Sequence, residues 1–134
     1  MRKMVFLIFM VCSIALCNAA TVPTLSAGGV TNKEVAVVDF PEQVKLLGVF
    51  LKGQYLFVHD DARMARGEAC TYVYTLKDGK PDKLVVSFHC TPAERQTAKG
   101  FVVKTILRSK LMAIREITEI QFPGSSEAHL VPAS

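Results

Sequence analysis

Residues 69–90 read ACTYVYTLKDGKPDKLVVSFHC, and this stretch decides the fold class. Two runs rich in β-branched and aromatic residues, Ala69 to Leu76 and Leu84 to Cys90, flank a polar segment, Lys77 to Lys83. Such a pattern predicts two antiparallel strands joined by a loop, a β-hairpin. Pairing about residue 80 sets Leu76 against Leu84, Tyr74 against Val86, Tyr72 against Phe88 and Cys70 against Cys90. Side chains alternate across a strand, so these eight fall on one face, and the apolar set fixes the register. The two sulfurs then lie opposite each other, within reach of a disulfide that closes a loop of about 20 residues. His89 points to the other face, away from Cys90, and cannot serve it as a base. A cysteine-nucleophile enzyme is therefore unsupported.

Outward from the hairpin the chain keeps the same character. Val35 to Phe40, Val44 to Leu51, Gln54 to His59, Phe101 to Leu107 and Ile114 to Phe122 read as further short strands. Lys52-Gly53 reads as a tight turn, and Pro41 as a strand stop. Asp60 to Glu68 has a helical tendency that Gly67 ends. Thr91-Pro92-Ala93-Glu94 matches a capping box at the start of a second short helix. Pro123 to Ser126 reads as a turn before a tail, Glu127 to Ser134. No internal repeat is present. Seven or so strands at hairpin spacing predict an all-β domain, a small antiparallel β-sandwich or open barrel with one or two short helical turns.

The N-terminus carries a different signal. Arg2 and Lys3 precede an apolar run from Met4 to Leu16, and Cys17-Asn18-Ala19-Ala20 supplies a small-residue site. These are the parts of a secretory signal peptide cleaved near Ala19 or Ala20. The run is shorter than the roughly 20 residues of a membrane span, and no second one follows. Acylation of Cys17 fits less well, because Leu16 stands where a lipoprotein signal has a small residue. The expected organisation is a signal peptide over 1–20, a flexible arm over 21–33 and one β-rich domain over 34–134, secreted or periplasmic. Of the 134 residues, 16 are basic and 12 acidic, a net charge of +4. Loss of Arg2 and Lys3 leaves 14 basic against the 12 acidic residues, or +2, too little to indicate nucleic acid. The cluster Lys104, Arg108, Lys110 and Arg115 reads as a solvated face. Cys12 and Cys17 leave with the leader, so the four cysteines become two, and export permits the bridge Cys70–Cys90.

The three histidines are the chemistry-bearing residues. His59 ends a strand before Asp60-Asp61, His89 lies in the hairpin, and His129 follows Glu127. No HExxH or His-x-His motif is present, so any metal centre is assembled by the fold. Imidazoles from separate strands suit Zn or Cu. Asp60, Asp61 and Glu127 are candidate helpers as ligands or as groups that orient an imidazole, and Met64 is a thioether candidate for copper. The competing reading gives the histidines structural hydrogen bonds at strand ends. Gly124-Ser125-Ser126 lacks the nucleophile-elbow pattern, and Asp60-Asp61 reads as a capped turn more readily than as an acid/base pair. No catalytic residue is assigned and no enzyme class is supported.

Three runs, FVHDDARMARGEACTYVY at 57–74, VSFHCTPAER at 86–95 and QFPGSSEAHLVP at 121–132, resemble a family of uncharacterised exported bacterial proteins. The resemblance spans roughly residues 48 to 132. It implies no activity, only that each histidine lies within a family-like run. The functional expectation is a metal-binding exported β-domain with His59, His89 and His129 as ligands. The alternative is a structural or adhesion module that binds a protein or envelope component, with neither metal nor catalysis.

Overall fold

The computed structural model describes residues 32–108 and 113–134; the expected leader, the arm up to residue 31, and Lys110 lie outside them. Eight strands and one short helix follow in order: β1 (Lys33–Leu46), β2 (Val49–Asp60), α1 (Asp61–Ala65), β3 (Thr71–Lys77), β4 (Lys80–Phe88), β5 (Thr91–Glu94), β6 (Val102–Leu107), β7 (Arg115–Gln121) and β8 (Glu127–Leu130). The strands form one sheet ordered β4-β3-β2-β1-β7-β8-β5, with β6 on the other edge of β7. The sheet is open and strongly curled into a half-barrel, which is the all-β, open-barrel form of the expectation. Every pairing is antiparallel except the short contact of Val44 and Lys45 with Arg115 and Glu116.

Three local readings need correction, each for a physical reason. The first turn falls at Leu47-Gly48, with φ of 47° and 86°, and joins β1 directly to β2. Two successive positive φ values match the right-handed strand twist, as in a type I′ turn. Pro41 does not stop β1. It lies in a bulge between Phe40 and Val44, opposite Gly53, whose φ of 85° keeps β2 running. A bulge there tolerates the missing N–H and bends the long hairpin inward.

The second correction concerns the hairpin. Its loop contracts to Asp78-Gly79, with φ of 51° and 71°, and Lys77 pairs with Lys80. Register irregularities on either side of Tyr74 then place Thr71 against Phe88 and Val73 against Val86. Phe88 accordingly shares the core face with Val73, while Tyr72 and Tyr74 stack on the opposite face with ring centroids 6.5 Å apart. The Asp-Gly dipeptide, a strong two-residue hairpin signal, outweighs the apolar pairing that sequence alone suggested.

Third, Thr91–Glu94 is not a helix start but an edge strand, paired with β8, and the expected tail therefore contains a strand. An edge position tolerates Pro92, and four residue pairs with β8 outweigh a local capping preference. The expected turn of helix at α1 is present. Asp60 caps it by accepting from the Arg63 N–H at 3.2 Å, and Gly67 follows at φ 79°.

The curl wraps the inner faces around a core that includes Leu46, Leu51, Phe57, Val73, Ile117 and Ile120. A chain of rings leads out of it: Phe57 to Phe101 at 5.3 Å, Phe101 to Phe122 at 5.1 Å, and Phe122 to His129 at 5.6 Å. Along β7, Arg95 and Lys104 grip Glu119, Arg108 meets Glu116, and Arg115 donates to Thr105. The basic residues in that cluster that the structure describes are thus engaged with their own sheet.

Candidate metal centre

Strand periodicity positions the first two side chains. In β1, Glu34 is in phase with Ala36, Val38 and Phe40, the residues turned inward, while Lys33, Val35, Val37 and Asp39 are exposed. In β2, His59 is in phase with Phe57. Glu34 pairs directly with His59, and His59 with Thr71, so a polar row crosses the inner face. His129 comes from the far end of the chain: in β8 it pairs with Ile120 of the core. The curl of the sheet lays this strand over the row.

The result is a buried polar cluster. His59 and His129 are 2% and 0% exposed, with ring centroids 4.0 Å apart and planes 32° from parallel. One carboxylate oxygen, Glu34 Oε2, lies 3.1 Å from His129 Nε2 and 3.5 Å from His59 Nδ1. The longer approach is within ion-pair reach, yet His59 Nδ1 makes no hydrogen bond and is the buried side-chain nitrogen without a partner among the described residues. Burial is the main cause that lowers the His59 pKa, with His129 adding to it; Asp61, Glu34 and Glu127 pull the other way. Burial thus disfavours the charged imidazole, while its unpartnered nitrogen lies beside a carboxylate. A cation between the two would resolve that conflict.

Around this core stand the other expected residues. Asp61 Oδ1 is 3.7 Å from His59 Nδ1, and Glu127 Oε1 is 3.9 Å from His129 Nδ1. Asp60 is committed to capping α1, and Met64 is exposed. His89 is also exposed and is not among the groups brought together, because it precedes Cys90 on the outward side of the chain. Cys90 takes the third place instead. Its Sγ lies 3.5 Å from His129 Nδ1, and donor atoms of His59, Cys90 and His129 all lie within 4.8 Å of one another. Cys90 is paired with Cys70 in a disulfide, with Cα atoms 6.4 Å apart.

Sequence reasoning missed Glu34 and the proximity of Cys90 to His129. Glu34 had a legible signal, being two residues before Ala36 in an alternating strand. The cysteine had none, since His129 is 39 residues away and reaches it only through the β5–β8 pairing. A cleft of about 590 Å³ is lined by Glu34 and Phe122 together with Pro123 to Ser126, and both of the first two touch the imidazole pair.

Chemically, two imidazoles and a carboxylate are a recognised donor set for zinc. Bonds of about 2.0–2.2 Å in a tetrahedron put nitrogen and oxygen donors ~3.3 Å apart. The spacings of 3.1 and 3.5 Å around Glu34 Oε2 bracket that edge. No protein-family model, no curated protein and no solved structure matches the chain, so its functional reading rests on the chemistry of this cluster.

Proposed function

We propose that this chain is a small exported β-domain protein that binds a transition-metal ion, zinc or copper, through His59 and His129, with Glu34 as the third protein ligand. The observation that carries the reading is the buried, unpartnered His59 Nδ1 facing the Glu34 oxygen that His129 also contacts. Asp61 and Glu127, 3.7 and 3.9 Å from imidazole nitrogens, add negative charge around the ion, and a cleft adjoins Glu34 and Phe122. The disulfide and the leader-like N-terminus support an oxidising compartment, secreted or periplasmic. No helix among the described residues is long and apolar enough to cross a membrane.

The test is thermal unfolding of the purified chain with Zn²⁺ or Cu²⁺. Binding to the folded state alone contributes about 2.7 kcal/mol at a hundredfold excess over Kd. For a domain of this size that raises Tm by roughly 10 °C or more. His129→Ala is expected to abolish the rise and His89→Ala to leave it intact. An unchanged Tm for the unmutated chain at saturating metal sinks the proposal and leaves the structural or adhesion module as the better account.

A further inference from the structure

His129 presents its two ring nitrogens to different partners: Nε2 to Glu34 and Nδ1 to Cys90. The imidazole pair therefore borders two donor groups, one of oxygen and one of sulfur, and the sulfur is tied up while Cys90 is bonded to Cys70. We propose that reduction of this disulfide converts the centre from a nitrogen–oxygen site into a thiolate site of Cys90, His59 and His129, which holds thiophilic ions more tightly. The proposal rests on the metal reading above and adds a redox control to it.

The geometry distinguishes the two sulfurs. Cys70 is fully buried and its Sγ is held by its own hairpin, accepting from the Cys90 N–H at 2.9 Å and lying 3.5 Å from the Phe88 carbonyl. Cys90 is only partly buried and is the one within the histidine group. With a Zn–S bond of about 2.3 Å and a Zn–N bond of about 2.0 Å, a tetrahedral sulfur–nitrogen edge is ~3.5 Å. The Cys90 Sγ to His129 Nδ1 separation is 3.5 Å. Thiolate and imidazole together select softer ions than imidazole and carboxylate do.

The conversion balances with a dithiol as the reductant. Its thiolate attacks the protein disulfide, the S–S bond of Cys70–Cys90 breaks, and the dithiol closes to its own cyclic disulfide. Two electrons and two protons pass to the protein sulfurs, leaving two thiols. Metal binding then displaces the Cys90 proton to solvent. Exchange with a disulfide oxidant re-forms the Cys70–Cys90 bond, leaves that oxidant as its dithiol and returns the ion to the weaker site.

Cobalt(II) is the probe, titrated into the chain freed of its leader, with Cys70 and Cys90 its two cysteines, either oxidised or reduced with dithiothreitol and desalted without oxygen. The reduced protein is expected to show a thiolate-to-cobalt charge-transfer band and at least about tenfold tighter binding, and the oxidised protein to bind without the band. Cys90→Ser removes the band, Cys70→Ser keeps it in either condition, and His59→Ala weakens reduced-state binding at least about tenfold. That last variant separates the folded site from thiols on an unfolded chain, which would not depend on His59. Equal affinity in the two redox states, or a band that survives Cys90→Ser, overturns the proposal. If both states bind cobalt without the band, the redox control alone fails; if neither binds, the metal reading falls with it. Should a variant fail to fold, the oxidised and reduced unmutated chain decide the question by themselves.

Discussion

Glu34→Gln isolates the carboxylate from the fold. Glutamine keeps the shape of the side chain and can still accept a hydrogen bond from His129 Nε2, which now lies 3.1 Å from Glu34 Oε2. The metal-free variant is therefore expected within about 1 kcal/mol of the unmutated chain, the worth of one ordinary hydrogen bond. Metal binding should respond far more. The Glu34 oxygen is the one atom close to both His59 Nδ1 and His129 Nε2, at 3.5 and 3.1 Å, so its charge is removed from the centre of the donor set. A loss of about a hundredfold in affinity is the scale expected for disturbing such a shell. At a zinc concentration a hundred times the unmutated Kd, the stabilisation falls from about 2.7 kcal/mol to RT ln 2, about 0.4 kcal/mol. In Tm that is a drop from roughly 10 °C or more to about 2 °C. Scanning calorimetry with and without zinc reads both quantities on the same sample. A variant that retains the full zinc-induced rise would show that Glu34 is not a ligand and that its contact with the histidines is structural only.

Three further outcomes follow from other parts of the fold. Phe57, with no exposed surface and rings of Phe40 and Phe101 at 6.2 and 5.3 Å, is expected to cost about 3–5 kcal/mol as Phe57→Ala, read from urea unfolding; a loss below 1 kcal/mol would contradict the packed core. Reduction of Cys70–Cys90, 20 residues apart, is expected to lower metal-free stability by about 3 kcal/mol, and the leader-free chain, unfolded and unreduced, should give no Ellman-reactive thiol. Arg95 and Lys104 hold the Glu119 carboxyl below its ordinary pKa of 4.5, the Arg95 hydrogen bonds being the larger cause. The unfolded chain then binds a proton more readily than the folded one, so this contribution is complete above pH about 4.5 and is lost as pH falls through the lower folded value. Glu119→Gln should flatten that part of the pH–stability curve; an identical acid limb in the variant would refute the assignment.

The fold class was legible because alternation of apolar and polar residues dictates strands wherever it occurs, and it occurs from Val35 onward. What alternation does not contain is register. Leu47 at positive φ gives no sign in its residue type, and the turn it makes with Gly48 shifts the whole first hairpin away from Lys52-Gly53. Asp78-Gly79 did give a sign, and reading the loop as seven residues wide set Phe88 on the wrong face. The capping-box pattern at Thr91 failed because a backbone pairing 33 or more residues away outranks a local preference. In the site, His59 and His129 were legible as residue types beside acidic neighbours, but their meeting depends on sheet curl, which no local window encodes.

The curl also bears on whether a polar cluster of this kind serves function or stability. A half-barrel of this size needs its inner face for burial, and apolar residues at positions 34, 59 and 129 would extend the core without penalty. Instead a carboxylate and two imidazoles occupy the inner face, with one nitrogen left unpaired. Buried polar groups that lack a partner cost about 1–3 kcal/mol each. A module whose task is to present exposed strand edges to a partner gains nothing from that expense, since its recognition surface lies on the outside. The cost is offset if an ion supplies the missing partner. The ring of Phe122 packs against both histidines, and the cleft lies on the far side of Glu34 and Phe122. An apolar substitution at both histidines decides between the accounts: a gain in metal-free stability with loss of zinc response is the signature of a binding site, and a loss of stability is that of a structural cluster.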